Sequence, residues 1–379
     1  MAPASSRGDR LAELLRKRLT IMKAISEHVL EQERRKSTRR VVQGASYRFF
    51  CDRIDYLLRN NEISTVVGVN TETFQQLLDI CKDSDSTVSS TVRLAIFLKF
   101  CREGISQNAL SRHVGLSQPT ISRIINSCVQ HLVSVAESHI RFPTEKSQIR
   151  YMQEQFASRV GYDGQTKGVP CFAVLDGKHW RTDHPPHTGS LNYNYKGFYS
   201  YNSLFLSDAE SRILYIQLSA LGVNSDAQLF SHGPLEELLS RAARVGGCQV
   251  APNTNFVLPS FILADNGFAS TKYVVTPYRA NQLMSSEHIK FNEIVSATRV
   301  KIENVFGVLT SKFQVFAINL RLDPANFRAL IVACCVVHNI SLGPQKVPIY
   351  DSTNDPIIID PYKSPEHLRT ALKTYLLNL

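Results

Sequence analysis

Three acidic residues stand at the ends of, or inside, short apolar runs. Asp176 follows Phe172-Ala-Val-Leu, Asp265 follows Phe261-Ile-Leu-Ala, and Glu303 lies within Arg299-Val-Lys-Ile-Glu303-Asn-Val-Phe-Gly307. Carboxylate oxygens are hard ligands, and a few of them on separate elements can hold Mg²⁺ against a phosphodiester. The chemistry these residues predict is cleavage or transfer at phosphate. Each acid taken singly is more often a solvated or N-capping carboxylate; the three placements together favour the metal site.

The elements that must position these acids can be read from the same segments. Short apolar runs bounded by Gly, Asn or Pro predict buried strands of an α/β sheet, and a residue at the C-terminal edge of such a strand faces the crevice where ligands bind. Asp176 and Asp265 are both expected at that edge. Glu303 belongs instead to a helical pattern, with Ile294, Val295, Thr298, Ile302, Val305, Phe306 and Leu309 marking one face. Arg299 precedes Glu303 by one helical turn, on the same side, where it can neutralise an acid or a phosphate. Lys178 and His179, just past the first acid, and Lys196 are further candidates for phosphate contact, with a plain surface role open for both lysines.

Residues 90–135 carry a second signal. Thr91 to Cys101, Gly104 to Val114 and Pro119 to Leu132 predict three helices, with Gly115-Leu-Ser-Gln as the turn before the last. That is the layout of a helix-turn-helix. In it Ser117, Gln118, Thr120, Ser122 and Arg123 would meet groove edges and phosphates of DNA. A plain three-helix packing module is the alternative. A further helix is predicted over 71–81, capped by Asn70, and residues 10–33 form an amphipathic pattern whose Leu-rich stripe needs a partner in this chain or another.

The chain has 379 residues, 43% hydrophobic and 20% charged, values of a folded protein with a large core. Its net charge of +10 favours an anionic partner. Residues 1–50 alone hold 12 Lys and Arg against 5 Asp and Glu, so the excess is mainly N-terminal. The cluster Arg34-Arg-Lys-Ser-Thr-Arg-Arg40 reads equally as a nuclear-import or nucleic-acid patch and as a solvated linker. Eight cysteines without a CxxC pair predict buried thiols in a reducing compartment. No signal peptide and no membrane-spanning apolar run is evident, which predicts an intracellular protein.

From about residue 60 to about 342 the chain resembles the PIF/Harbinger transposases and the nucleases derived from them. The resemblance is carried by the order and spacing of the helix-turn-helix, Ile140-Arg-Phe-Pro143, Val174-Leu-Asp176-Gly-Lys-His179, Lys196-Gly-Phe-Tyr-Ser-Tyr-Asn202, Gly222-Val-Asn-Ser-Asp226, Ala264-Asp265-Asn-Gly-Phe, Thr276-Pro-Tyr278, Arg299 to Gly307 and Cys334-Cys-Val-Val-His-Asn339. It implies an α/β fold: an RNase H-like DDE catalytic domain preceded by an all-α helix-turn-helix region. The expected parts are a basic N-terminal helical segment over 1–50, a helical region over 51–145, the nuclease domain over 146–345 and a C-terminal tail over 346–379. Asp176, Asp265 and Glu303 become the catalytic triad, and Asp226 a fourth acid near the metal. Departures from the family pattern are Asn-Ser-Asp226 where a His-Asp-Ser is usual, Lys178, Trp180 and Phe268, and an extended stretch between Ser240 and Ser260.

The implied activity is a metal-dependent DNA endonuclease using two Mg²⁺ or Mn²⁺ ions in a nucleus, with DNA, a Myb/SANT-like partner protein and a homo-oligomer among the expected associations. A domesticated, non-cleaving DNA-binding or scaffold protein in a nuclear complex is the competing expectation. Asp183-His184-Pro-Pro-His187 reads as a loop rather than a zinc site, lacking a Cys partner. Tyr193, Tyr195, Tyr199 and Tyr201 alternate and predict one face of a strand or ribbon, a stripe that is packing more often than a base-stacking surface.

Overall fold

The computed structural model describes residues 44–83, 87–158, 168–184, 190–219, 221–251, 256–282, 285–319, 322–350 and 360–378. The labelled helices before the sheet are α1 (Ala45–Arg59), α2 (Thr71–Ile80), α3 (Ser90–Glu103), α4 (Gln107–Val114), α5 (Gln118–Ser134) and α6 (Lys146–Ala157). Then come β1 (Ala173–Arg181), β2 (Ser200–Ser207), β3 (Ile213–Leu218), α7 (Asp226–His232), α8 (Leu235–Gly246), β4 (Cys248–Val250), β5 (Val257–Pro259), β6 (Ile262–Leu263) and β7 (Val274–Val275). The chain continues through α9 (Ser286–Lys312), α10 (Pro324–Ser341) and α11 (Pro365–Leu377).

Two compact units divide these elements: residues 312–317 and 325–341 cluster with the N-terminal helices, and the rest of the chain from Ile140 onward forms the second unit. In the helical unit, α3 from Val92 to Cys101 and α10 from Ala333 to Ile340 are buried on every side, as helices enclosed by others are. Two buried cations on α3 are paired. Arg93 bridges Asp83 at 2.9 Å and donates to Ser127 Oγ at 2.7 Å, and Lys99 bridges Glu103 one turn along the same helix. Serine caps start the successive helices, with Ser89, Ser106 and Ser117 each accepting a backbone N–H of the first turn. Gly115 ends α4 at φ +79°, and a Cβ there would lie 2.8 Å from the Tyr47 nitrogen of α1. Only glycine meets both demands. The expected helix over 71–81 is present with its Asn70 cap, and so are the three helices expected between 90 and 135. Residues 10–33 and the Arg34–Arg40 cluster lie outside the described residues.

The second unit is built on a mixed five-stranded sheet in the order β3-β2-β1-β6-β7, antiparallel from β1 to β3 and parallel from β1 to β7. Alternation along the strands divides its side chains between two layers. Leu175, Leu204 and Leu206 join Ile149 and Met152 of α6, Leu229 of α7 and Leu239 of α8 in one core. Phe205 points the other way and meets Phe306 of α9 edge-to-face at 5.3 Å. All eight cysteines are free thiols, six of them buried, as expected. No helix among the described residues is long and apolar enough to cross a membrane.

Candidate active site

Asp176 lies within β1 rather than at its end, a correction to the strand-edge placement. The strand runs on to Arg181 because β2 pairs with it throughout, whereas parallel pairing with β6 covers only Ala173 and Val174. The crevice thus opens on the β6 side while β1 continues. Asp265 follows β6 after Ala264, which places it one short step beyond the strand. Both carboxylates are half-buried.

Asp176 is paired across the sheet with Phe205, so it faces the α9 layer. There the Arg299 guanidinium stands 3.8 Å from its Oδ2, and the Gly177 N–H donates to its Oδ1 at 2.8 Å. Glu303, one turn further along α9, is exposed. The predicted apolar face of this helix is the buried one: Ile294, Val295, Ile302, Val305, Phe306 and Leu309 all lie inside.

Asp226 reaches β1 from the opposite layer. It is the first residue of α7, after the Ser225 cap, and its Oδ1 accepts from Asn202 Nδ2 at 2.7 Å. Its carboxylate occupies the space a side chain at position 177 would need, since a Cβ on Gly177 would fall 2.1 Å from the Asp226 carboxyl carbon. The absent side chain at Gly177 is therefore what lets a second acid lie against the strand beside Asp176. Sequence reasoning assigned no role to Gly177 or Asn202; an Asn in the fully buried strand β2 marks itself only once that burial is known.

Burial pushes the Asp176 carboxyl up to about 6, against the opposing pull of Arg299 and the Gly177 N–H and with a further push from Asp265 and Asp226. Asp226 is also raised, first by burial and then by Asp265, with Asn202 and Lys196 acting the other way. The charge of Asp265 thus bears on both Asp176 and Asp226. Among the described residues no three His, Cys, Asp or Glu side chains converge as ligands of one ion. The donor chemistry nonetheless fits Mg²⁺, which takes one or two carboxylates and retains water rather than demanding a protein cage.

The expected phosphate contacts are distributed differently. Lys178 is half-buried, its Nζ lying 5.2 Å from the Trp180 ring and 5.1 Å from the Phe306 ring, and burial lowers its pKa. His179 Nδ1 shares a hydrogen bond with Ser200 Oγ at 2.9 Å; burial and Lys196 lower its pKa to about 4, so the ring is neutral at pH 7. Lys196 is exposed on the turn before β2. In the helical unit, Ser117 caps α5 and shares a hydrogen bond with the Thr120 hydroxyl at 2.8 Å. Gln118 Nε2 donates to Gln107 at 2.7 Å, Arg123 lies along the first turn with Nε donating to the Pro119 carbonyl at 3.4 Å, and Ser122 is half-buried.

The tyrosine stripe does not form a single face. Tyr193 and Tyr199 pair across a bridge, Tyr201 is buried in β2, and Tyr195 projects from the turn between them. Asn194 and a left-handed Gly197 bend the chain there, which breaks the alternation.

The class of protein follows from comparison with known families: residues 175–339 match the family described as DDE superfamily endonuclease, and this segment is a domain of that kind. The particular relatives are proteins named "Putative nuclease HARBI1", Harbinger transposase-derived proteins to which the chain is homologous. The Xenopus laevis protein is 24% identical over 67% of this chain and 68% of its own length. The Homo sapiens protein is 25% identical over the same shares, and the Bos taurus protein 24% identical over 75% and 76%. No solved structure matches the chain.

Proposed function

We propose that this chain is a divalent-metal-dependent DNA endonuclease of Harbinger type with an RNase H-like catalytic domain, acting in the nucleus. The observation that carries the proposal is that Asp176 and Asp265 each follow the last parallel pair of β1 and β6 by two residues, with the Asp226 carboxylate lodged against Gly177, next to Asp176 in β1. Asp176, Asp226, Asp265 and Glu303 are the residues that would hold Mg²⁺ or Mn²⁺, two ions in this reading. Bound there, such ions supply Lewis acidity at phosphate and lower the pKa of water.

The protein's own groups do the rest. Burial of the carboxylates strengthens their mutual repulsion, which a cation relieves. Arg299, now on Asp176, is placed to exchange that carboxylate for a phosphate oxygen when the substrate enters. Lys196 adds positive charge on the Asp226 side. Lys178 is held by rings and orients the wall of the site. Ser117, Gln118, Thr120, Ser122 and Arg123 on α5 are the proposed DNA-reading residues, and a Myb/SANT-like partner or a second copy of the chain would add to target choice.

The test is nicking of supercoiled plasmid by purified protein in Mg²⁺ and Mn²⁺, abolished by EDTA and by Asp265→Asn. A second reading, a non-cleaving DNA-binding or scaffold protein, draws support from the Arg299–Asp176 contact, in which a cation of the chain's own stands on the carboxylate a metal would need. Wild-type protein that never nicks, with Asp265→Asn retaining its cellular role, would leave that second reading standing.

A further inference from the structure

We infer that the turn from Leu191 to Ser200 is a stacking platform for unpaired nucleotides of the DNA strand that passes the carboxylates, with Tyr195 as its outermost ring. The inference rests on the nuclease reading and adds a substrate preference to it. Tyr195 is 84% exposed, Leu191 50% and Tyr193 47%, all on one short turn. Cations stand among these rings: Arg181 lies over Phe198 at 4.4 Å and Lys196 sits 5.5 Å from the Tyr195 ring. Aromatic faces interleaved with positive charge are what a single strand requires, the rings for bases and the cations for phosphates.

Hydrogen bonds of Asn194 hold the turn in shape. Asn194 Oδ1 accepts from the Lys196 and Phe198 backbone N–H groups at 2.9 and 3.3 Å, and its Nδ2 donates to Ser200 Oγ at 2.7 Å. Ser200 Oγ in turn bonds His179, three residues after Asp176 on β1. Tyr195 meets the His179 ring at 5.7 Å. Through Ser200 and His179 the turn is joined to the strand that carries Asp176, so a nucleic-acid strand lying on Tyr195 would run on toward the acids. Bases inside a duplex stack on one another and offer no free face, so an exposed ring selects nucleotides that are unpaired, frayed or flipped.

The experiment uses the full chain in EDTA, where nothing is cut. Binding is read by anisotropy on a labelled thymidine oligonucleotide carrying one 2-aminopurine, and on a blunt duplex of equal length. Tyr195→Ala is expected to weaken single-strand binding roughly tenfold and to abolish 2-aminopurine quenching, with the duplex changed less than about twofold. Tyr195→Trp, which keeps a ring, should restore both signals, and this guards against loss through misfolding. Unchanged single-strand affinity and quenching in Tyr195→Ala, or equal losses on both ligands, overturns the platform. Plasmid nicking tests the nuclease reading separately: nicking with Tyr195-independent binding removes the platform alone, and Tyr195-dependent stacking without nicking removes the nuclease alone.

Discussion

Asp176 and Asp265 each stand two residues past the last parallel pair of β1 and β6, which joins Ala173 to Ile262 and Val174 to Leu263. Hydrogen bonding between the strands ends just before them. Asp176 is held in β1 by its pairing with β2, and Asp265 by the loop that leaves β6, where it accepts from the Gly267 N–H.

Replacing Asp265 with Asn keeps the shape and much of the hydrogen bonding, including acceptance from the Gly267 N–H at 2.9 Å. It removes one metal-binding charge. Metal-dependent nicking should disappear while circular dichroism and DNA affinity stay at the wild-type level. Persistent nicking would show that Asp265 is not a ligand.

Gly177→Ala would bring a methyl group to 2.1 Å from the Asp226 carboxyl carbon. Asp226 must move, which breaks its bond from Asn202. The cost expected of such overpacking is about 1–3 kcal/mol, visible as a lower urea midpoint. Combining it with Asp226→Ala, which empties the space, should recover most of that loss. No recovery would mean that the strand, not Asp226, resists the methyl.

Arg299→Gln removes a positive charge 3.8 Å from Asp176. Cations then compete with one charge fewer, so Mn²⁺ affinity measured by calorimetry should rise severalfold. Nicking at saturating metal should slow, since the phosphate loses its partner. Weaker Mn²⁺ binding together with faster nicking would reverse the role assigned to Arg299.

The Asp176 carboxyl is raised from 3.8 to about 6 in the folded metal-free protein. A raised folded value means that this group's contribution to stability is full below about pH 4 and is lost as pH rises through about 6. The loss is of the order of 1–3 kcal/mol. In EDTA, the stability difference between Asp176→Asn and wild type should therefore shift in favour of the variant as pH rises from about 4 through about 6. A difference independent of pH would place the Asp176 carboxyl at its ordinary value. Asp208, likewise raised to about 6 by burial, contributes equally to both proteins and cancels.

Neutralising Arg34, Arg35, Lys36, Arg39 and Arg40 together tests the N-terminal basic cluster. If these residues bind phosphate, the slope of log affinity against log salt should become shallower by roughly 0.9 for each phosphate that the variant no longer neutralises. An unchanged slope assigns the cluster to nuclear import or to a linker.

The sequence by itself determined the elements that local rules govern. Serine and asparagine caps, Gly115 and the apolar spacing of α9 set the helices, because capping and periodicity depend on residues within a turn or two of each other. It also singled out Asp176, Asp265 and Glu303 by the apolar runs around them, and Asp226 through the order and spacing of motifs along the chain. What it left open depends on pairings between distant segments. The extent of β1 beyond Asp176 is decided by β2, which supplies partners up to Arg181 where β6 supplies none. Gly177 has no evident role in the chain and becomes a seat for Asp226 only when α7 folds onto β1. Residues 325–341, apolar enough to be central anywhere, cluster with the N-terminal helices because an all-round apolar helix goes where neighbours can enclose it. The tyrosine alternation predicted a flat ribbon, but the Asn194 side chain bonds the backbone of its own turn and turns Tyr195 outward while Tyr201 goes in. Side-chain hydrogen bonds and long-range strand pairing, not periodicity, made that choice.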